Sequence, residues 1–203
     1  MEYQVNRSCI AITTVPVDQL FRIDMDLIYI TTFPNAYGEL IIGDYRQQLC
    51  VLDWKYRDKR EQVDTRVCSF LGTTYHEEET LLHRETIRQL NEYFERKRTS
   101  FDLPLLFAGT EFQQKVWRSL LEIPYGKTVS YLELSRRMGD EKAIRAVASA
   151  NGANAISIVI PCHRVVGSKG ELTGYAGSVR VKQKLLQLET SSQQPELFSG
   201  TLF

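Results

Sequence analysis

Ile156-Ser157-Ile158-Val159-Ile160-Pro161-Cys162-His163-Arg164-Val165-Val166 is an apolar, strand-like run halted by a proline, followed at once by a thiol with an imidazole beside it. Proline fixes φ and ends a ladder, so the sequence predicts a stiff turn presenting Cys162. The thiolate is the nucleophile, and a free cysteine with a pKa of about 8.5 is mostly protonated at neutral pH. His163 supplies a nearby group able to change that. Alone, the stretch fits a candidate nucleophile or an inert thiol packed beside a strand. The surrounding sequence decides between them.

Immediately upstream, Thr110 is placed to cap a helix over 111–122, with Phe112, Val116, Leu120 and Leu121 facing inward. Pro124-Tyr125-Gly126 turns the chain, Ser130 caps a helix from Tyr131 to Met138, and Gly139 ends it. Asp140 then opens a third helix, from Glu141 to about Ala150. Two short helices joined through a glycine form a helix-turn-helix pattern. The third helix carries Ala143, Ala146, Ala148, Ser149 and Ala150 with one long cation, Arg145. Small side chains let a helix lie close against nucleic acid; they equally allow close packing on a neighbouring helix.

The first half reads as an α+β module. Residues 21–27 alternate apolar and polar, and 39–42 and 49–52 are two further strands joined around Gly43-Asp44. A helix is expected from Glu77 to Arg98, with Leu81, Leu82, Ile87, Leu90 and Phe94 as its apolar stripe. Phe101-Asp102-Leu103-Pro104 breaks that pattern. The expected division is 1–103, 104–190 and a polar, flexible tail over 191–203.

The 203 residues carry zero net charge, but the charge is segregated. Residues 1–103 hold 13 Lys/Arg against 17 Asp/Glu, and residues 104–190 hold 12 against 7. That asymmetry permits phosphate binding by the second half alone. No apolar run approaches a membrane span, and the first residues lack a secretory pattern. The four cysteines include no CxxC pair, which suits a reducing compartment. A cytoplasmic protein is expected, at the nucleoid when on DNA.

Set in order, Phe112-Gln113-Gln114-Lys115-Val116-Trp117, Ile123 to Tyr131, Arg145-Ala146-Val147, Asn154, the Cys162 hexapeptide and Gly174-Tyr175-Ala176-Gly177 resemble the O6-alkylguanine-DNA alkyltransferases (methylated-DNA–protein-cysteine methyltransferases). The resemblance is dense from Phe101 to Glu189 and in outline before that. It implies an α+β fold: an N-terminal α/β module with a small antiparallel sheet, then a mainly helical, winged helix-turn-helix-like domain carrying the active cysteine. The implied activity is irreversible transfer of an alkyl group from guanine O6 to Cys162, one per molecule, with O4-alkylthymine as a further substrate.

The same resemblance implies the site. His163 deprotonates Cys162 through a bridging water, Glu189 supports the imidazole, and Asn154 braces the turn. Tyr131 crowds the target phosphate and hydrogen-bonds the base, while Arg145 fills the stack that a flipped base leaves. Ala143, Ala146 and Ser149 belong to the DNA-facing helix. Tyr175, Ala176 and Gly177 line the pocket, with the Ala176 N–H towards O6, and the carbonyls of Val165 and Cys162 take the guanine amino group. Duplex DNA is expected to bind through its minor groove, to a monomer.

Ser178 departs from the second glycine usual there; it either caps the last helix or trims the pocket. Some relatives hold a structural zinc, but Cys9, Cys50, Cys68, His76 and His83 lack a ligand pattern, so no metal and no cofactor is expected. Gln194-Pro195-Glu196-Leu197-Phe198 resembles the peptides by which bacterial DNA-processing proteins dock on the sliding clamp, through Gln194, Leu197 and Phe198. Three alternatives are a non-repairing alkyltransferase-like binder of damaged bases, a Cys-His hydrolase and a DNA-binding regulator. The first typically lacks the acceptor cysteine; the second leaves Arg145 and Tyr131 unused; the third needs no thiol.

Overall fold

The computed structural model describes residues 26–190. The first part of the 21–27 strand and the tail, including Gln194 to Phe198, lie outside that range.

Strands β1 (Ile28–Asn35), β2 (Gly38–Tyr45) and β3 (Gln48–Trp54) form an antiparallel meander, and β4 (Tyr75–Glu77) adds to β1 in parallel, giving the order β3-β2-β1-β4. The sheet is therefore mixed rather than wholly antiparallel. A parallel neighbour needs a crossover, supplied by α1 (Arg60–Leu71). That helix is not evident in the sequence, because only Val63 and Val67 of its twelve residues are buried. The β2–β3 turn falls at Arg46 and Gln47, both at positive φ. Gly43 and Asp44 instead lie inside β2, where the register shifts. The expected 77–98 helix is the shorter α2 (Leu81–Phe94), since residues 75–77 are strand; Leu81 is 82% exposed at its start.

The helices of the second half follow their caps. Thr110 and Gln113 form a reciprocal capping box on α3 (Glu111–Leu121), and the Ser130 hydroxyl accepts from Glu133 N–H on α4 (Tyr131–Arg137). Val116, Trp117 and Leu120 carry the buried face of α3, while Phe112 and Leu121 are about two-fifths exposed, contrary to expectation. Beyond Asp140 the chain makes one 3-10 turn (Glu141–Ala143) before α5 (Ile144–Gly152), which contains the Asn151-Gly152 pair expected to end it. Val129-Ser130 (β5) and Val165-Val166 (β6) pair in parallel, and α6 spans Val179–Thr190. No helix among the described residues is long and apolar enough to cross a membrane.

What positions the site is the outer edge of β3, a strand buried from Leu49 to Trp54. Leu49 exchanges hydrogen bonds with Pro104 and Leu106 (2.7 and 2.9 Å), and Leu52 with Ala155 and Ser157 (2.8 and 2.6 Å). An open edge is thus closed by the second half. One closing segment leads directly to Cys162.

Candidate active site

Residues 156–160 are not a strand. Ile156 makes a single bridge to Leu52, and the chain then turns through Ile158 at φ 71°. A short apolar run cannot be told from a buried turn by periodicity. Asn154 holds the turn: its Oδ1 accepts from Ile156 N–H (2.9 Å), while Nδ2 donates to the Ile160 carbonyl (3.0 Å). From β3, Asp53 accepts from Ser157 Oγ (3.1 Å), and Arg57 donates to Asp53 (2.6 Å) and to the Asn154 and Gly152 carbonyls. Arg66 reaches the Ala153 carbonyl from α1. These first-half residues carry no local signal in the sequence, because their partners lie about 100 positions away.

Cys162-His163-Arg164 form a 3-10 turn, and all three are buried. His163 Nε2 is 2.8 Å from Glu189 Oε1. A carboxylate only accepts, so Nε2 carries the proton and Nδ1 keeps its lone pair. Nδ1 is buried and without a hydrogen-bond partner among the described residues. Glu189 also accepts from Tyr93 Oη (2.7 Å), Arg164 Nη2 (3.0 Å) and Gly126 N–H (3.2 Å). Burial alone raises the Glu189 pKa, but His163 and Arg164 hold it at about 2. Burial pushes His163 below its ordinary value despite Glu189, so the imidazole is neutral.

Burial likewise raises the Cys162 thiol, against a hydrogen bond from Asn154 and the charges of Lys182 and Arg57. Lys182 was not anticipated. It is fully buried, and its Nζ donates to the Val165 carbonyl (2.6 Å) and the Thr173 carbonyl (2.9 Å). A signal was present: Lys182, Leu185 and Glu189 recur on one face of α6, two charges on a buried stripe.

A cavity of about 560 Å³, within the usual range for a ligand site, is lined by Tyr131, Asn151 and residues 173–178 and, from the first half, by Tyr37, Trp54 and Tyr56; Cys162 is not among its lining residues. Trp54 Nε1 donates to Tyr175 Oη (3.1 Å), and a Cβ on Gly177 would stand 2.6 Å from the Trp54 ring. Only glycine permits that approach. Tyr175 and Ala176 are partly buried in this wall, and Val165 lies fully buried behind it. Ser178 sits at φ 86°, and its hydroxyl accepts from Val181 N–H (3.4 Å), so it caps α6 as well as edging the cavity.

On α5, Val147, Ala150 and Asn151 are buried, whereas Arg145, Ala146 and Ser149 are more open and Ala143 is partly so. The small residues expected to meet DNA therefore lie away from the buried face. Arg145 makes no salt bridge among the described residues. No group of three or more His, Cys, Asp or Glu suited to a metal occurs among them.

The helix-turn-helix and the buried thiol, joined through one α+β scaffold, define a class of protein that two family models describe. Residues 28–107 match the 6-O-methylguanine DNA methyltransferase ribonuclease-like domain, and residues 111–191 match its DNA-binding domain. The chain belongs to the methylated-DNA–protein-cysteine methyltransferase family. It is 50% identical over 180 residues to the enzyme of that name from Mycobacterium bovis, covering 87% of this chain and 99% of the relative. The constitutive enzyme of Bacillus subtilis is 42% identical over 165 residues, covering 81% and 96%. Mycobacterium tuberculosis OGT, solved in complex with DNA, superposes with a TM-score of 0.68 at 38% identity, covering 80% of this chain and 93% of that one.

Proposed function

We propose that this chain repairs alkylated DNA by moving an alkyl group from guanine O6 to its own Cys162, irreversibly and once per molecule. The observation carrying this reading is the His163 tautomer: Nε2–H is committed to Glu189, and a buried, unpaired Nδ1 remains to take the thiol proton. The sulfur then attacks the alkyl carbon, an S–C bond forms and the C–O6 bond breaks with its electron pair left on guanine. The proton held by His163 passes through solvent to the departing base, so charge balances. Tyr131 hydrogen-bonds the base as that charge develops, and Lys182, donating to the Val165 and Thr173 carbonyls, supports the thiolate electrostatically. Asn154 holds the turn, and the Ala176 N–H, within the Tyr175–Gly177 wall, faces O6.

DNA lies along the open face of α5, in the minor groove, with Ala143, Ala146 and Ser149 allowing close approach and Arg145 entering the stack. The division of labour follows 1–103 as scaffold and 104–190 as reader and acceptor, acting as a monomer at the nucleoid. Single-turnover removal of methyl from duplex O6-methylguanine should saturate at one equivalent per protein; continued turnover contradicts the reading. Arg145→Ala should slow that reaction by about 10²-fold, because the unstacking cost that the side chain offsets is a few kcal/mol and each 1.4 kcal/mol is about tenfold, yet spare reaction with free O6-benzylguanine. Equal losses on both substrates would remove the intercalating role.

The 194–198 segment is proposed to dock on a sliding clamp. Deleting it should abolish clamp binding in a pull-down and leave repair of a short duplex intact; undiminished binding refutes it.

A further inference from the structure

The helix placed on DNA above, α5, is capped from the other half of the chain. A helix leaves its last carbonyls without intrahelical donors and its C-terminal end partly negative. α5 has no basic residue in its own last turn. Instead Arg57 donates to the Gly152 and Asn154 carbonyls (2.7 and 3.1 Å), and Arg66 of α1 donates to the Ala153 carbonyl between them (2.6 Å). Further back along α5, the Ala150 carbonyl accepts from Trp117 Nε1 (2.8 Å), and the Arg66 guanidinium lies 5.5 Å from the centre of a Trp117 ring.

Arg66 fills that place at a cost in stability. Burial and the nearby Arg57 charge pull it below its ordinary pKa, and its Nε is buried with no hydrogen-bond partner among the described residues. An apolar side chain against Trp117 would avoid both penalties, but it could not fix a carbonyl in direction. Ala153 joins α5 to Asn154, which braces the Cys162 turn, so its carbonyl sits at the joint between helix and thiol. Arg145 lies about 10 Å back along α5, at 1.5 Å per residue, and a small change of angle at the joint carries it off the stack. Resting on the alkyl-transfer reading above and its placement of α5, we infer that Arg66 is a positioning residue for duplex repair: by holding the Ala153 carbonyl it sets α5, and with it Arg145, relative to Cys162.

The test is a double-mutant cycle read on two substrates. Arg66→Met keeps an apolar stem against Trp117 and removes the charge and the donors. Single-turnover repair of duplex O6-methylguanine at saturating protein should fall about tenfold, the worth of one hydrogen bond to a charged group. Reaction with free O6-benzylguanine, which needs no helix on DNA, should be unchanged. Substitutions at well-separated sites normally add, but both of these act through α5, so in an Arg145→Ala background Arg66→Met should slow duplex repair little further. Arg66→Lys keeps the charge without the fork and should show a smaller loss on the duplex alone; it carries the same test if the methionine variant fails to fold. No loss on the duplex, equal losses on both substrates, or an undiminished loss when Arg145 is already alanine would overturn the inference. Absence of any methyl transfer to wild-type Cys162 would instead overturn the alkyl-transfer reading itself.

Discussion

His163→Ala is expected to slow alkyl transfer to Cys162 by about 10²–10⁴-fold at pH 7, the usual worth of a positioned general base. The thiol it serves is buried and held above its ordinary pKa, so unaided ionisation at neutral pH is slight. Rate against pH should therefore separate the two proteins. The variant should climb steadily into the alkaline range, beyond the ordinary cysteine value of about 8.5, while the wild type depends less on pH there. Single-turnover rates from pH 6 to 10 measure this. A variant whose profile parallels the wild type at every pH would make His163 a packing residue.

Glu189→Gln is expected to have the largest effect on stability, a loss of about 3–5 kcal/mol, because removing one member of a buried ionic cluster strands the others. Arg164, His163, Tyr93 and Gly126 all converge on that carboxylate. Its folded pKa of about 2 lies below the value of about 4.3 for a free glutamate. The unfolded chain thus binds the proton first on acidification. The stabilisation, about 3 kcal/mol by linkage, is present above pH 4–5 and lost as pH falls towards 2. His163 acts in the same direction, since its depressed pKa makes the unfolded chain take up protons below about pH 6.5. Denaturant unfolding between pH 7 and 3 should show wild-type stability falling with acidity. The Gln variant should be weaker at pH 7 and lose the Glu189 part of that slope. Equal stability of the two proteins at pH 7 would count against the cluster.

What the sequence disclosed was local. Thr110, Ser130 and Asp140 announced their helices because a cap is made within three residues. Cys162 and His163 stood out because a proline precedes them. The turn at Ile158 did not, since an apolar run looks alike whether it extends or turns. α1 has too narrow a buried stripe to show a period. The non-local half of the site was invisible for a different reason. Asp53, Trp54 and Arg57 act on Ser157, Tyr175 and Asn154 only because β3 lends its free edge to the second half. Nothing in residues 53–57 themselves signals that. The first half is thus no mere appendage: it walls the cavity and braces the turn behind the thiol.

If the proposed chemistry holds, Cys162 keeps the alkyl group. Mixing the protein with duplex DNA containing a single O6-methylguanine and weighing the intact chain decides it. The expected result is a mass gain of one methyl, located on the Cys162 peptide and absent from Cys162→Ser. An unchanged mass for folded wild-type protein that has bound the duplex, or a methyl found on Cys50 or Cys68, would contradict it.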